Sequence, residues 1–309
     1  MDAGLVVNIP SETPRNPGPS WGYSFILWAE HWWPRWIFRP AFLAGNWVAL
    51  AFMPEQRAHS RAYLNLMLGR PPSLLEVWRH FLTFAEFLLF KLRAGRGVPV
   101  RCELEPANRA EFDALVESGR PALFGTFHFG CSDLLGYMLA ARGRRVSIIR
   151  QRVGNSGDTE RLGERFGDKV AFLWINDPAN LLFELKAALE AGQSLAMKCD
   201  RLEFSAKAEP FRFLGADRLF PFTIYHLAVL FDRPVVFCTA VPGAGADAMR
   251  VFASPVFVPG SAAGRAANLH AAREHFRGVL AQLETLVRQQ PLLWFNFRPL
   301  NPAPAAGTR

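Results

Sequence analysis

An α/β fold with a mainly parallel central sheet flanked by helices, preceded by an N-terminal hydrophobic helical region, follows from three features of this sequence. After residue 100, short apolar runs alternate with amphipathic segments, the pattern of strands joined by crossover helices. Those runs, among them PALFGTF, VSIIR and PVVFCTAV, are apolar nearly throughout rather than at every second residue, as expected of strands buried on both faces. From Trp21 to Met53 the chain is instead dense in tryptophan and apolar residues.

That first stretch, WGYSFILWAEHWWPRWIFRPAFLAGNWVALAFM, contains the uncharged apolar segment Ala41 to Met53, 13 residues, against the roughly 17 to 25 of a spanning helix. Tryptophan and tyrosine favour the headgroup level and Arg35 and Arg39 can reach lipid phosphates, so the residue types suit a membrane-associating region that lies in the interface. A buried helical hairpin packed on the main domain is the alternative. From Arg57 to Arg96 apolar residues recur at three and four, which predicts two amphipathic helices separated by Gly69, Pro71 and Pro72.

Beyond residue 100 the expected order begins with the strand PALFGTF, the helix CSDLLGYMLAARG closed by Gly143, and the strand VSIIR. A helix around Thr159 to Phe166 leads to the strand VAFLWI. Asp177 and Pro178 then start the helix PANLLFELKAALEAG, which ends at Gly192 before the strand SLAMKCD. A loop to FRFLG, the helix PFTIYHLAVLFD, the strands PVVFCTAV and MRVFASPVFV, and a helix from about Arg265 to Arg288 complete the chain. The organisation expected is a disordered N-terminus over 1–20, the helical membrane-associating region over 21–99, an α/β domain over 100–300 and a disordered tail over 301–309.

Half of the 309 residues are hydrophobic, yet the formal net charge is +8. Arginines alternate with Trp, Phe and Leu instead of forming a polar stripe, which points away from nucleic acid and toward an anionic membrane surface. Cys102, Cys131, Cys199 and Cys238 form no Cys-x-x-Cys pair, so neither a zinc site nor a disulfide framework is indicated and a reducing compartment fits. The first twenty residues include Asp2, Glu12 and several prolines but no apolar h-region, which argues against a cleaved signal peptide.

Within GTFHFGCSD, residues 125 to 133, His128 precedes Asp133 by five positions. With seven histidines and 27 acidic residues in the chain, the spacing alone carries no weight. On one continuous helix the two would lie about 140° apart, so a meeting requires a turn. The sequence supplies one: a strand to Phe127, Gly130 for an unusual dihedral, and Asp133 in the first turn of the next helix. Loops beyond the carboxyl ends of parallel strands are where α/β folds place their sites. An aspartate there can fix one tautomer of an imidazole, making His128 a general base. Equally, His128 can be a satisfied strand-end histidine and Asp133 a favourable first-turn acid.

GTFHFGCSD, SIIRQRVGN, the strand ending in Cys199-Asp200-Arg201, EPFRFLGADRLFPF and QPLLWFNFR together resemble the bacterial lipid A biosynthesis (late) acyltransferase family of the lysophospholipid acyltransferase superfamily. The resemblance runs from about Trp21 to Arg298. It implies that His128 and Asp133 form the catalytic H-x4-D/E pair of a membrane-associated O-acyltransferase. The donor would be an acyl thioester of acyl carrier protein or coenzyme A, the acceptor a hydroxyl of a membrane lipid or glycolipid, and no cofactor or metal would be needed. It further implies substrate-binding roles for Arg150, Asn155, Asp200 and Arg201, and a location on the cytoplasmic face of the inner (plasma) membrane. Oxyanion donors are expected among the Gly125 and Gly130 N–H groups. Phe220-Pro221-Phe222-Thr223 departs from the glycine and proline that follow FP in related sequences, and Asp133 replaces the glutamate common in lipid A enzymes. Three further readings therefore stand beside the first: acylation of a product other than lipid A, such as a polyene pigment lipid; a thioesterase or hydrolase in which His128 activates water, though GCSDLLG does not fit the G-x-S-x-G elbow of a serine hydrolase; and a non-catalytic membrane assembly subunit.

Overall fold

The structure, a computed structural model, describes residues 20–151, 167–175, 178–202, 207–245, 247–295 and 297–301. The Trp-rich stretch forms helices α1 (Ser20–Trp32) and α2 (Arg35–Phe52), broken at Pro34, which has no N–H to continue the ladder. Helices α3 (Pro54–Leu68) and α4 (Leu74–Gly95) follow, and Gly69 closes α3 with φ +65°. Ser73 begins α4 with a reciprocal cap: Glu76 N–H donates to Ser73 Oγ at 3.2 Å, and Ser73 N–H donates to the Glu76 carboxylate at 2.7 Å. Among the described residues no single helix is long and apolar enough to cross a membrane. Helices α2 and α3, bent by 95° to one another, satisfy length and composition together.

Among the described residues seven strands make the main sheet: β1 (Arg101–Leu104), β2 (Leu123–Thr126), β3 (Val146–Arg150), β4 (Val170–Trp174), β5 (Ser194–Lys198), β8 (Val235–Pro242) and β9 (Ala248–Ala253). Their spatial order is β1-β9-β8-β2-β5-β3-β4, and every neighbouring pair is parallel except β8 with β9. The mainly parallel α/β architecture expected of the apolar runs is therefore present. Helices α5 (Arg109–Glu117), α6 (Leu135–Ala141), α7 (Pro178–Glu190), α8 (Thr223–Phe231) and α9 (Arg265–Gln289) accompany the sheet. Two buried clusters, one including Phe127, Phe237 and Phe276 and the other Phe112, Leu139 and Val236, use side chains from the strands and these helices.

Several elements depart from expectation. EPFRFLGADRLFPF is not a loop leading to a short motif but a hairpin of β6 (Ala208–Phe213) and β7 (Ala216–Pro221). Its two turn residues, Leu214 and Gly215, have φ of 50° and 78°, the left-handed pair that a tight hairpin demands. Leucine hides this signal in sequence; here its N–H donates to Glu284 at 2.8 Å and its side chain is buried. The short exposed strand β1 and helix α5 had no apolar pattern long enough to read. The helix expected from Cys131 divides into a single 3₁₀ turn, Ser132–Leu134, and α6. The strand expected over MRVFASPVFV ends at Ala253, with Phe257 pairing alone to Val235. The helix expected around Thr159 to Phe166, and Asp177, lie outside the described residues.

The parallel register of β2 and β5 positions the site. Thr126 lies opposite Lys198, and Cys199 N–H donates to Thr126 O at 2.8 Å, so residue 128 emerges from the sheet beside residue 200. The chain then turns sharply at Gly130, φ +52°, where a Cβ would lie 2.1 Å from the Ala240 carbonyl oxygen. Only glycine fits that turn without displacing β8.

Candidate active site

His128 and Asp200 form the buried pair at the carboxyl ends of β2 and β5. His128 Nδ1 lies 2.6 Å from Asp200 Oδ1, and the His128 backbone N–H donates to Asp200 Oδ2 at 2.8 Å. Trp294 Nε1–H donates to the same Oδ2 at 3.3 Å. The Asp200 side chain is fully buried. Burial by itself would raise its pKa, but the His128 contacts and the Arg201 charge hold it below the ordinary carboxylate range. An ionised carboxylate only accepts, so His128 Nδ1 carries the proton of a neutral ring and Nε2 is the basic nitrogen. Burial first, then the charges of Arg201 and Lys198, lower the His128 pKa to about 3 against the opposing pull of Asp200. The ring is therefore neutral at physiological pH.

Asp133, expected as the partner of His128, is held elsewhere. Its Oδ2 meets Lys91 Nζ at 3.1 Å, and its Oδ1 pairs with Lys198 Nζ. Burial would raise its pKa, but Lys198, Lys91 and Arg150 outweigh that and keep it well below the usual range. The cause is geometric. The 3₁₀ turn after Cys131 directs Asp133 to the lysine at the end of β5 and to α4, while the β2–β5 register places Asp200 against the imidazole. Asp200, expected to touch substrate, instead spends its oxygens on His128 and Trp294 and lies under the histidine.

The remaining expected residues divide. Arg150, at the end of β3, stands over the Phe172 ring at 5.7 Å and contributes to the field on Asp133. Arg201 donates through Nη2 to Phe295 O at 3.2 Å. Asn155 lies outside the described residues. The expected oxyanion donors are engaged: Gly130 N–H goes to Leu293 O at 2.8 Å, and Gly125 sits inside β2 between β5 and β8. Among the described residues the buried Thr126 Oγ1 has no partner, and it lies two residues before His128 on the same cavity wall.

That cavity has a volume of about 670 Å³. His128, Asp133, Lys91, Lys198, Arg150 and Arg201 share its wall with Phe84, Phe87, Leu135, Met138, Ile148 and Trp174. Among the described residues five cations, counting Arg298, face two carboxylates if Asp200 beneath His128 is included. Ile26 of α1 and Ala49 of α2 also line it, so the N-terminal helices form part of the chamber. Its size suits a ligand that buries a sizeable apolar body, with a few polar groups fixing orientation. Among the described residues no group of three or more His, Cys, Asp or Glu side chains is placed to hold a metal ion.

Sequence reasoning missed Lys91, Lys198 and the role of Trp294. Lys91 carried a signal, a single cation within the apolar run LLFKL, and Lys198 another, at the end of the apolar strand SLAMK. A charge in a buried element is costly unless paired, so each required a partner. Trp294 belongs to QPLLWFNFR, which lies across the site: Phe295 N–H donates to His128 O at 2.8 Å and Trp294 pairs with Phe129. Behind it, His80 Nε2 lies 3.0 Å from Trp294 O and His80 Nδ1 lies 2.8 Å from Ser60 Oγ. The carbonyl only accepts, so the neutral His80 ring donates through Nε2–H and takes the Ser60 hydroxyl at Nδ1. Helices α3 and α4 are thus tied to the segment that holds Asp200.

No family model and no curated protein matches the chain. Among solved structures, the chain is similar to the 1-acyl-sn-glycerophosphate (LPA) acyltransferase PlsC from Thermotoga maritima, at 12% sequence identity and a TM-score of 0.37, over 82% of this chain and 97% of that chain. A likeness that distant carries no argument about chemistry.

Proposed function

We propose that this protein is a membrane-associated O-acyltransferase that moves a fatty acyl group from a thioester, of acyl carrier protein or coenzyme A, to a hydroxyl of a lipid or glycolipid. The observation that carries this reading is the neutral His128, held by Asp200 with its basic nitrogen unprotonated, in the wall of a large cavity that is both apolar and cationic. The resemblance of the sequence motifs to lipid A late acyltransferases supports the same reaction class. As the acceptor oxygen attacks the thioester carbonyl, His128 Nε2 takes its proton, and the imidazolium returns it to the departing thiolate. Such general-base assistance contributes about 10² to 10⁴ in rate. Lys91, Lys198, Arg150 and Arg201 attract an anionic substrate, whose charge offsets the cations that depress the basicity of His128.

The decisive assay supplies purified wild type and His128→Ala, in a membrane mimetic, with radiolabelled acyl carrier protein thioester and a total lipid extract. Label entering a lipid with wild type, at a rate lowered by about 10² to 10⁴ in the variant, is the expected result. Label released only as free fatty acid points to a hydrolase and defeats the proposal, as does equal activity of the two proteins.

Membrane association, at the cytoplasmic face of the inner membrane, is part of the proposal. Trp28, Trp32, Trp36, Trp47 and Phe52 are exposed on α1 and α2, Phe52 to 82%, with Arg35 and Arg39 also exposed between them. Large apolar side chains exposed in such number on two consecutive helices are a mark of interaction, and the same helices also wall the cavity. In vesicle flotation, wild type is expected to rise with vesicles containing anionic lipid, and Trp36→Ser combined with Phe52→Ser to remain with the lipid-free fraction. Equal flotation of both sinks this assignment of the surface.

A further inference from the structure

We propose that a second, smaller cavity behind the Asp200–Trp294 contact is a binding site for a phosphate group, held by Arg201, Arg218 and Arg298. It measures about 260 Å³, which is headgroup-sized and below the usual range for a ligand with a long apolar body. Among the described residues its walls bring three guanidinium groups to one carboxylate, Asp200, whose oxygens are already engaged by His128 and Trp294. Glu55 also acts on Arg298, and three guanidinium groups lining one small, partly buried chamber make it a favourable place for an anion.

The second observation is a buried donor that lacks an acceptor. Among the described residues, Arg201 Nε has no hydrogen-bond partner, although Nη2 of the same group is fixed on Phe295 O at 3.2 Å. A buried unpaired donor is unfavourable, more so when charged; this Nε is closed to solvent as the side chain stands, so an oxygen ligand satisfies it as the guanidinium turns toward the cavity. Arg218 is likewise held in place, donating through Nε to Phe213 O and through Nη1 to Asn301 O, both at 3.2 Å. Guanidinium groups fixed in this way present planar forks suited to phosphate oxygens. Arg201 and Arg298 belong to both cavities, so one molecule can reach His128 with its reacting end while its phosphate occupies the smaller chamber.

In naming the donor or acceptor as the source of that phosphate, the inference rests on the acyl-transfer reading; the site itself does not. Titration of the full-length protein with inorganic phosphate, followed by calorimetry, is expected to show saturable binding. Arg218→Gln and Arg298→Gln should each weaken it at least about tenfold, the equivalent of one charge-assisted hydrogen bond. Thermal unfolding establishes that each variant is folded, and Arg298→Gln, which leaves both Arg218 bonds intact, decides the matter if Arg218→Gln is not. Absence of saturable binding overturns the proposal. So does binding that both variants keep while Lys91→Gln or Arg150→Gln loses it, because the anion then sits in the larger cavity. In the transfer assay, phosphate competing with the thioester alone assigns the natural occupant to the donor, and competing with the lipid alone assigns it to the acceptor headgroup; either upholds the site. Phosphate binding lost in the two variants, in a protein that transfers no acyl group, upholds the site while rejecting the acyl-transfer function.

Discussion

Asp200→Asn is expected to lower kcat by about 10⁴-fold, the cost of holding a catalytic histidine in the wrong tautomer, although asparagine has nearly the same shape. Two donors, the His128 backbone N–H and the Trp294 indole, converge on Asp200 Oδ2. The asparagine must turn its only oxygen to them. Its NH₂ group then faces His128 Nδ1, which becomes an acceptor, and the ring proton moves to Nε2. The base has lost its lone pair on the substrate side while the fold keeps its hydrogen bonds. Asp133→Asn should behave differently. It leaves Lys91 and Lys198 without their counterion, so stability falls by about 3 kcal/mol, whereas the His128 tautomer is untouched and the loss of kcat in folded protein is much smaller. Steady-state kinetics on both variants, with unfolding curves beside them, separate the two acids. If folded Asp133→Asn loses transfer while Asp200→Asn retains it, the acid five residues after the histidine is the true partner and the pairing across the sheet has no catalytic role.

How far this site could be read from sequence depends on which contacts are local. The histidine at a strand end, the left-handed Gly130 and the acid in the next turn follow from a nine-residue stretch, and the structure places them as a strand, a turn and a 3₁₀ start. The identity of the acid does not follow, because it is decided by which strand adjoins β2. Local sequence offers Asp133; the β5 neighbour, paired as Thr126 with Lys198, offers Asp200 from 72 residues away. Apolar patterning predicts that β2 and β5 are buried strands but is silent on their adjacency and register. The same limit hid Trp294, which reaches Asp200 only because the segment after α9 returns across the strand ends. Lys91 and Lys198 were more legible, since a cation in an apolar element must find a buried acid.

Lowering the pH from 6.5 to 4 is expected to remove about 3 kcal/mol of folding stability through His80 alone. His80 is fully buried between Ser60 and the Trp294 carbonyl, and burial lowers its pKa to about 4 despite that carbonyl's opposing pull. In the unfolded chain the ring takes a proton near its ordinary value of about 6.5. Between the two values the unfolded state binds more protons, so stability rises with pH and is lost as pH falls; the loss begins near 6.5 and is complete near 4. His128 acts in the same direction and further down, to about 3, and burial also lowers His226 and His275. Asp133 and Asp200, whose pKa values are depressed, lose their contribution only at lower pH, as it falls below the ordinary carboxylate value and through their native ones. The window above pH 4 therefore reports chiefly on imidazoles. Urea unfolding at several pH values should give a shallower slope for His80→Gln than for wild type, since glutamine can still donate to Trp294 O and accept from Ser60 but takes up no proton. An unchanged slope in that variant means that His80 does not couple acid to the fold. A reduced slope ties the segment bearing Trp294, and through it Asp200 and His128, to the protonation state of a residue on α4.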